Sequence, residues 1–365
     1  MSIKRSSSIA FFVVCAFFII GFMYQKVGRF FDDRRYPAPG KLVNIGGYRL
    51  HIQEAGSGLP TVIMDAGTGS FSLMWRKIPT EIAQFSHVYT YDKGGLGWSD
   101  VSPLPRTSKY MAQELHALLE AVHAPKPYIL VGHSLGGGTI QLFANTYPDE
   151  VFGLVLIDSA HEQVPALIQK HNLTFKRTLT GFTVVHPQQE QDNASLSTRF
   201  HGLINEALRC PFMLHFLELC GLKRLYLTWF YTTPGHTQYP VYPQLLSRIL
   251  RRSAFSTTSQ EIAGYPQSAK DLISSEDHLK NKPLIVISNG KGFFYNPLNH
   301  RIMTDAEIEF NEKIWAPLQI ELAKKSIKGK QIIAHNSGHR IQDTEPELIV
   351  QAIKELVEEY RKAQP

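Results

Sequence analysis

The sequence predicts an α/β protein whose central sheet is largely parallel and covered by helices on both faces. Two observations lead to this fold class. Short apolar runs, typical of buried strands, alternate with helix-like patterns up to residue 160 and again from residue 283. Between these parts the alternation lapses, which indicates a segment inserted into the sheet domain. Strands that alternate with helices form parallel sheets, and burial on both sides makes such strands almost continuously apolar.

A β-hairpin opens the predicted domain, and the alternating elements follow it. Two runs of alternating residues, Leu42–Ile45 and Tyr48–Glu54, are joined by Gly46-Gly47, a pattern that predicts a hairpin. The later elements are predicted as strands at 61–64, 87–91, 128–131, 151–157, 283–288 and 331–334, and as helices at 79–85, 108–122, 135–147, 305–324 and 346–360.

The most informative motif is Gly132-His-Ser-Leu-Gly136, which joins a predicted strand to a predicted helix. The pattern Gly-x-Ser-x-Gly in this context is a nucleophile elbow, in which a sharp turn leaves the serine at its apex. Ser134 is therefore the candidate nucleophile. The backbone N–H of Leu135 lies at the start of the helix, where free donors and the helix dipole face a developing negative charge.

Together with two other stretches, this motif resembles the α/β-hydrolases of the lipase, esterase and prolyl-aminopeptidase-like group. The other stretches are Asp92–Asp100 and Asn336-Ser-Gly-His339. The resemblance covers residues 42–360. It implies an eight-stranded, mostly parallel sheet with an inserted cap, and a Ser–acid–His triad in that chain order. It implies no cofactor and no metal, because a serine stands where a dehalogenase or epoxide hydrolase would carry an aspartate nucleophile.

The resemblance assigns the general base to His339. A serine hydroxyl attacks poorly unless a base takes its proton. His339 follows Gly338 in a late loop after a short strand, where the family places its histidine. His335, four residues earlier, is the nearest competitor, and the Gly-His pair favours His339.

The acid is assigned to Asp158, with two alternatives left open. The family commonly has Gly-x-x-Asp after the strand that is predicted here at 283–288, but this chain reads Gly290-Lys-Gly-Phe293. Part of the family carries the carboxylate one strand earlier. Asp158 lies there, at the carboxyl end of a strand, where catalytic groups gather in parallel sheets. Asp305 and Glu307 are the alternatives.

The second oxyanion donor is expected in the loop after the third strand, as the fold implies. That loop reads Asp65-Ala-Gly-Thr-Gly-Ser70. The residue after Gly67 is Thr68, so the predicted oxyanion hole consists of the N–H groups of Thr68 and Leu135. The Asp92–Asp100 loop is interpreted as structural support for the site.

An N-terminal run predicts a membrane anchor. Ile9–Tyr24 contains 16 residues without a charge, whereas about 20 apolar residues cross a bilayer core comfortably. The bulky residues at 22–24 do not form a signal-peptidase site. An uncleaved single-pass helix is therefore the first interpretation, a cleaved signal the second and a core helix the third. Basic residues on both sides leave the membrane side of the catalytic domain open.

The predicted organisation has four segments: an anchor with its linker at 1–36, a first core part at 37–160, a helical cap at 161–281 and a second core part at 282–365. Three cysteines exclude a disulfide framework. Whether Cys210 and Cys220 pair stays open.

The leading functional hypothesis is a membrane-anchored serine hydrolase that cleaves an ester or amide bond of a small-molecule or lipid-like substrate. An acyltransferase with the same triad and a non-catalytic binding or scaffold protein are the alternatives. A net charge of +6 without dense basic helices gives no nucleic-acid signature.

Overall fold

The computed structural model describes residues 2–178, 181–187, 221, 224–225, 227–229, 243–295 and 302–364. The chain divides into two compact units. One unit comprises residues 1–37, 176–182 and 188–252, and the other comprises 38–175, 183–187 and 253–365.

The second unit contains an eight-stranded sheet of the predicted kind. The strands of the chain are β1 (Lys41–Asn44), β2 (Arg49–Ala55), β3 (Thr61–Asp65), β4 (His87–Tyr91), β5 (Tyr128–His133), β6 (Val151–Ile157), β7 (Thr174–Thr178), β8 (Gly181–Val185), β9 (Leu284–Asn289) and β10 (Gly329–Ala334). The large sheet has the order β1-β2-β4-β3-β5-β6-β9-β10, and β7 pairs with β8 in a separate two-stranded sheet. Only the β1–β2 and β2–β4 pairs of the large sheet are antiparallel. The prediction of a mostly parallel sheet is confirmed.

Along the chain, the helices precede, separate and follow these strands. The α-helices of the described residues are α1 (Ser2–Arg35), α2 (Ile78–Ile82), α3 (Ser108–Ala121), α4 (Leu135–Thr146), α5 (Val164–Lys170), α6 (Pro243–Ile249), α7 (Arg252–Ser274), α8 (Asp305–Phe310), α9 (Ala316–Lys324), α10 (Ile341–Thr344) and α11 (Pro346–Lys362).

Strand β5 shows why the apolar runs form buried strands. Successive side chains of a strand point to opposite faces of the sheet. Tyr128 and Leu130 belong to one hydrophobic cluster, which α3, α4 and α9 cover. Ile129 and Val131 belong to a second cluster, which α2 and α11 cover. An unbroken apolar run is therefore what a strand between two layers of helices requires.

The predicted hairpin and the predicted helix at 305–324 are both present. Asn44 pairs with Arg49, and the Asn44 side chain accepts hydrogen bonds from the N–H groups of Gly46 and Gly47 at 2.9 and 3.0 Å. Helices α8 and α9 form one helical stretch that is interrupted by a π turn at Asn311–Trp315. Thr304 begins α8 with a capping box.

The N-terminal run is helical, but the prediction of a membrane anchor is wrong. None of the helices in the described ranges is long and apolar enough to cross a membrane. The apolar run Ile9–Tyr24 has 16 residues, fewer than the roughly 20 that a span needs, and charged residues of α1 lie on both sides of it. Within its own unit, Asp32 of α1 forms an ion pair with Arg224 at 2.6 Å, and Asp33 forms one with Arg248 at 3.2 Å.

Part of the predicted cap, including Cys210 and Cys220, lies outside the described residues. The elements described between 161 and 281 are α5, the β7–β8 pair, α6 and α7.

Candidate active site

Ser134 occupies a sharp turn between β5 and α4. It has φ 53° and ψ −123°, a left-handed conformation that is strained for a residue with a side chain. Its N–H donates to the Ile157 carbonyl at 3.1 Å, and its carbonyl accepts from the Ala160 N–H at 2.9 Å. A Cβ atom at Gly136 would lie 2.4 Å from the Asp65 carbonyl oxygen. Only glycine at 136 therefore lets the first turn of α4 approach β3.

Asp158 and His339 come together at the carboxyl ends of β6 and β10. The Nδ1 atom of His339 donates to Oδ2 of Asp158 at 2.6 Å. The Asp158 side chain is fully buried, whereas 15% of the His339 side chain is exposed. A buried carboxylate in this position fixes the ring orientation and leaves Nε2 available to take a proton.

Asn289, the last residue of β9, also holds the Asp158 carboxylate. Its side-chain amide donates to Oδ1 at 2.8 Å and to Oδ2 at 3.0 Å, and its backbone N–H donates to Oδ1 at 3.2 Å. These bonds compensate for the burial of the carboxylate. Asn289 immediately precedes the Gly290–Phe293 stretch, where the family pattern has its usual acid. The family pattern predicts an acid in that stretch and gives no signal for a residue that holds the acid, so the sequence does not identify Asn289.

Aromatic rings fix the imidazole of His339 from several sides. Phe293 stacks on it with a centroid distance of 3.9 Å, and Trp315 meets it edge-on at 5.7 Å. The backbone N–H of His339 donates to the Phe293 carbonyl at 3.3 Å. Trp315 ends the π turn, so this irregularity of the 305–324 helix positions one wall of the site.

His133 connects the elbow to the loop that carries His339. Its Nε2–H donates to the His339 carbonyl at 2.9 Å, and the two rings lie 4.6 Å apart. Burial, followed by the proximity of His339, holds the pKa of His133 well below its usual range. His133 is therefore neutral, and the carbonyl acceptor assigns its proton to Nε2.

The three predicted catalytic residues are gathered at one edge of the sheet. The residue before Ser134 bonds to His339, and Ser134 itself is hydrogen-bonded to the residues on either side of the Asp158-Ser159 pair. Across the described ranges, no hydrogen bond joins the Ser134 hydroxyl to the His339 ring. Such a bond is often long in an enzyme without substrate and tightens when substrate binds.

The predicted oxyanion donors lie beside Ser134. A Cβ atom at Gly67 would lie 3.0 Å from Cβ of Ser134 and 2.9 Å from Nδ1 of His133, so the loop that carries Thr68 approaches the elbow closely. As far as the structure describes the chain, the N–H groups of Thr68 and Leu135 donate to no protein acceptor. Both donors are available to a bound group.

The alternative acids, Asp305 and Glu307, and the competing base, His335, have other surroundings in the structure. Asp305 is exposed in the first turn of α8. Glu307 is buried, completes the capping box and accepts from the Thr183 hydroxyl at 2.5 Å. His335 is exposed.

One group of side chains among the described residues has the spacing of a metal site. His116, Glu120 and Glu150 offer ligand atoms within 4.8 Å of one another. The ammonium of Lys126 pairs with both carboxylates, at 2.7 and 2.8 Å, so the cluster already contains a cation. Glu150 precedes β6 while Asp158 follows it, so the cluster lies at the opposite edge of the sheet from Ser134.

Comparison with known proteins identifies the fold. The family model of the alpha/beta hydrolase fold matches residues 60–212. An AB hydrolase superfamily protein of Gibberella zeae is 23% identical over 324 residues, which cover 83% of this chain and 87% of the relative. A putative carbamate hydrolase, RutD, of Cronobacter turicensis is 36% identical over 112 residues, which cover 30% of this chain and 42% of the relative.

A solved structure agrees with these matches. A thermophilic esterase of Thermogutta terrifontis superposes with a TM-score of 0.53 at 16% identity, covering 87% of this chain and 97% of the esterase. At this identity the likeness shows the fold alone. Several curated relatives match at 33% to 36% identity, but the chain spans only 18% to 48% of their length. The protein has the α/β-hydrolase fold, and the family model agrees with this fold over residues 60–212.

Proposed function

We propose that this protein is a serine hydrolase that cleaves a carboxylic ester or amide of a small molecule through an acyl-enzyme. The observation that carries the proposal is the hydrogen bond between His339 and the fully buried Asp158, 2.6 Å long, at the sheet edge where Ser134 occupies a left-handed turn. Acyl transfer requires a nucleophile, a base and an orienting acid of these types.

In the proposed reaction, Oγ of Ser134 attacks the substrate carbonyl while Nε2 of His339 takes the hydroxyl proton. Asp158 stabilises the resulting imidazolium. The carbonyl oxygen becomes an oxyanion and accepts hydrogen bonds from the N–H groups of Thr68 and Leu135. The imidazolium then protonates the leaving alcohol or amine. Water attacks the acyl-enzyme with His339 again as base, and the carboxylic acid and free Ser134 are released.

The neutral state of His133 supports this scheme. A second positive charge 4.6 Å from the His339 ring would disfavour the imidazolium that the reaction forms. The low pKa of His133 keeps that neighbour uncharged.

The proposed reaction cleaves the bond between a carbonyl carbon and an oxygen or a nitrogen. The name of the Cronobacter relative, a putative carbamate hydrolase, makes carbamates a third substrate class to test. The same acyl-enzyme would serve an acyltransferase if an alcohol replaced water.

Labelling with a fluorophosphonate tests the proposal directly. We expect the full-length protein to be labelled at Ser134, and Ser134→Ala to lose both the label and the turnover of a p-nitrophenyl ester series. An amide series, a carbamate series and an added alcohol acceptor would then define the reaction. Folded wild-type protein without a label, or with a label that survives Ser134→Ala, would support the non-catalytic alternative instead.

A further inference from the structure

The loop that carries Thr68 is fixed by two buried charged residues from distant parts of the chain. Lys93, whose side chain is 2% exposed, donates from Nζ to the Ala66 carbonyl at 2.5 Å and to the Gly67 carbonyl at 3.4 Å. Glu261 of α7 is fully buried, and its Oε2 accepts from the Gly69 N–H at 2.7 Å. The two residues therefore contact the backbone on both sides of Thr68.

Because peptide groups are planar, these contacts orient the two peptide planes on either side of Thr68. A trans peptide is planar, and its C=O and N–H point in opposite directions. The Gly67 carbonyl and the Thr68 N–H belong to one peptide plane. That carbonyl accepts from the Ser70 N–H at 3.1 Å and from Nζ of Lys93 at 3.4 Å, so both contacts turn the Thr68 N–H away from these donors. The Thr68 carbonyl and the Gly69 N–H belong to the next plane, so Glu261 fixes that plane as well.

The buried ammonium of Lys93 requires defined partners. An ammonium removed from water is costly unless it is paired and hydrogen-bonded. Asp65, at the end of β3, lies 3.2 Å from Nζ of Lys93 and is itself buried. The two carbonyls of the Thr68 loop supply the other acceptors.

We propose that Lys93 and Glu261 are positioning residues that orient the Thr68 peptide, so that its N–H donates to the oxyanion of the reaction. The proposal rests on the proposed serine hydrolase function. It gives the Asp92–Asp100 loop a role beyond general support, because Lys93 belongs to that loop. A misdirected donor reduces the stabilisation of the transition state more than it reduces the binding of the substrate, because the oxyanion forms only during the reaction.

The test compares Lys93→Met with a matched control, Lys282→Met. Lys282 also donates to two backbone carbonyls, those of Pro148 and Val151, at 2.7 and 2.6 Å, but it does so at the opposite end of β6. We expect Lys93→Met to lower kcat on a p-nitrophenyl ester by roughly 10- to 100-fold with KM changed less than about 2-fold. We expect Lys282→Met to keep kcat near the wild-type value.

A second readout separates positioning from general damage. A trifluoromethyl ketone forms a tetrahedral adduct with an active serine, so its affinity should fall by the same factor as kcat/KM in Lys93→Met. Glu261→Gln, which keeps an oxygen acceptor for the Gly69 N–H, should retain more activity than Glu261→Leu. If Lys93→Met does not fold, the charge-balanced pair Asp65→Asn with Lys93→Met takes its place.

The outcomes distinguish the two proposals. Wild-type kcat in a folded Lys93→Met or double variant overturns the positioning role, as does a loss of kcat without a parallel loss of ketone affinity. A wild-type protein that fluorophosphonate does not label removes the hydrolase proposal and the positioning role with it.

Discussion

At the scale of single residues, the carboxylate of Asp158 has the most strictly defined surroundings in the site. It is fully buried and accepts hydrogen bonds from Asn289 and His339. A charged group at this depth is stable only because each oxygen has partners. The same bonds hold the His339 ring with Nδ1 protonated, the tautomer that leaves Nε2 free to act as a base.

Replacement of Asp158 by asparagine tests this role. We expect Asp158→Asn to lower ester turnover by on the order of 10⁴, because the amide favours the wrong imidazole tautomer and cannot stabilise the imidazolium. Asp305→Asn is the control, since Asp305 is exposed, and it should keep normal turnover. The measurement is kcat/KM on one ester. Near-normal turnover of Asp158→Asn would transfer the acid role to another carboxylate.

At the scale of elements, two of the three glycines in the first turn of α4 have opposite surroundings. A Cβ atom at Gly136 would meet the carbonyl oxygens of Asp65 and Ala66 at 2.4 and 2.7 Å, and backbone cannot yield without moving β3. A Cβ atom at Gly138 would have its nearest neighbour at 3.8 Å, an ordinary contact.

These surroundings predict opposite effects of the same substitution. Gly136→Ala should destabilise the fold by about 1–3 kcal/mol, as overpacking does, and should abolish activity by displacing Ser134. Gly138→Ala should stabilise it by roughly 0.5–1 kcal/mol, because alanine is the better helix former. Urea unfolding monitored by circular dichroism measures both. Equal stabilities for the two variants would contradict the close approach of α4 to β3.

Individual elements also differ in how well the sequence predicts them. Strands such as β6 were predictable because burial on both faces demands an uninterrupted apolar run. The elbow was predictable because its glycines and serine are neighbours in the chain. By contrast, the bond between Glu261 and the Gly69 N–H joins residues 192 positions apart, and no local pattern encodes such a contact. The bond between Asn289 and Asp158 likewise joins residues 131 positions apart.

The N-terminal run shows another limit of local patterns. An uncharged apolar stretch predicts a helix, and α1 is one, but the stretch alone does not determine what the helix does. Ion pairs from Asp32 and Asp33 to Arg224 and Arg248 are not visible in the hydropathy of residues 9–24.

At the scale of the whole molecule, buried neutral histidines make stability depend on pH. Burial lowers the pKa of His161 to about 4, although the neighbouring Glu162 carboxylate acts in the opposite direction. In the unfolded chain a histidine has its ordinary pKa of about 6.5. Between these values the unfolded chain binds a proton that the folded chain does not, so stability falls as the pH falls. His133 contributes in the same direction.

The slope of this dependence is measurable. We expect the free energy of unfolding to fall by about 1.4 kcal/mol per pH unit below pH ~6 for each such histidine. His161→Gln should remove one such contribution, so that its stability and the wild-type stability converge between pH 7 and pH 5. Urea titrations at both pH values test this. Parallel losses in the two proteins would mean that His161 is protonated in the folded state.

The turn at residue 134 has a consequence for how durable the protein can be. Glycine would adopt φ 53° without steric conflict, so the backbone there would relax if the hydroxymethyl group were removed. Under the proposed function, serine at that position is a trade-off between the reactive hydroxyl and a less strained backbone. A protein with glycine at that position would lose the hydroxyl and relieve the strain of the turn.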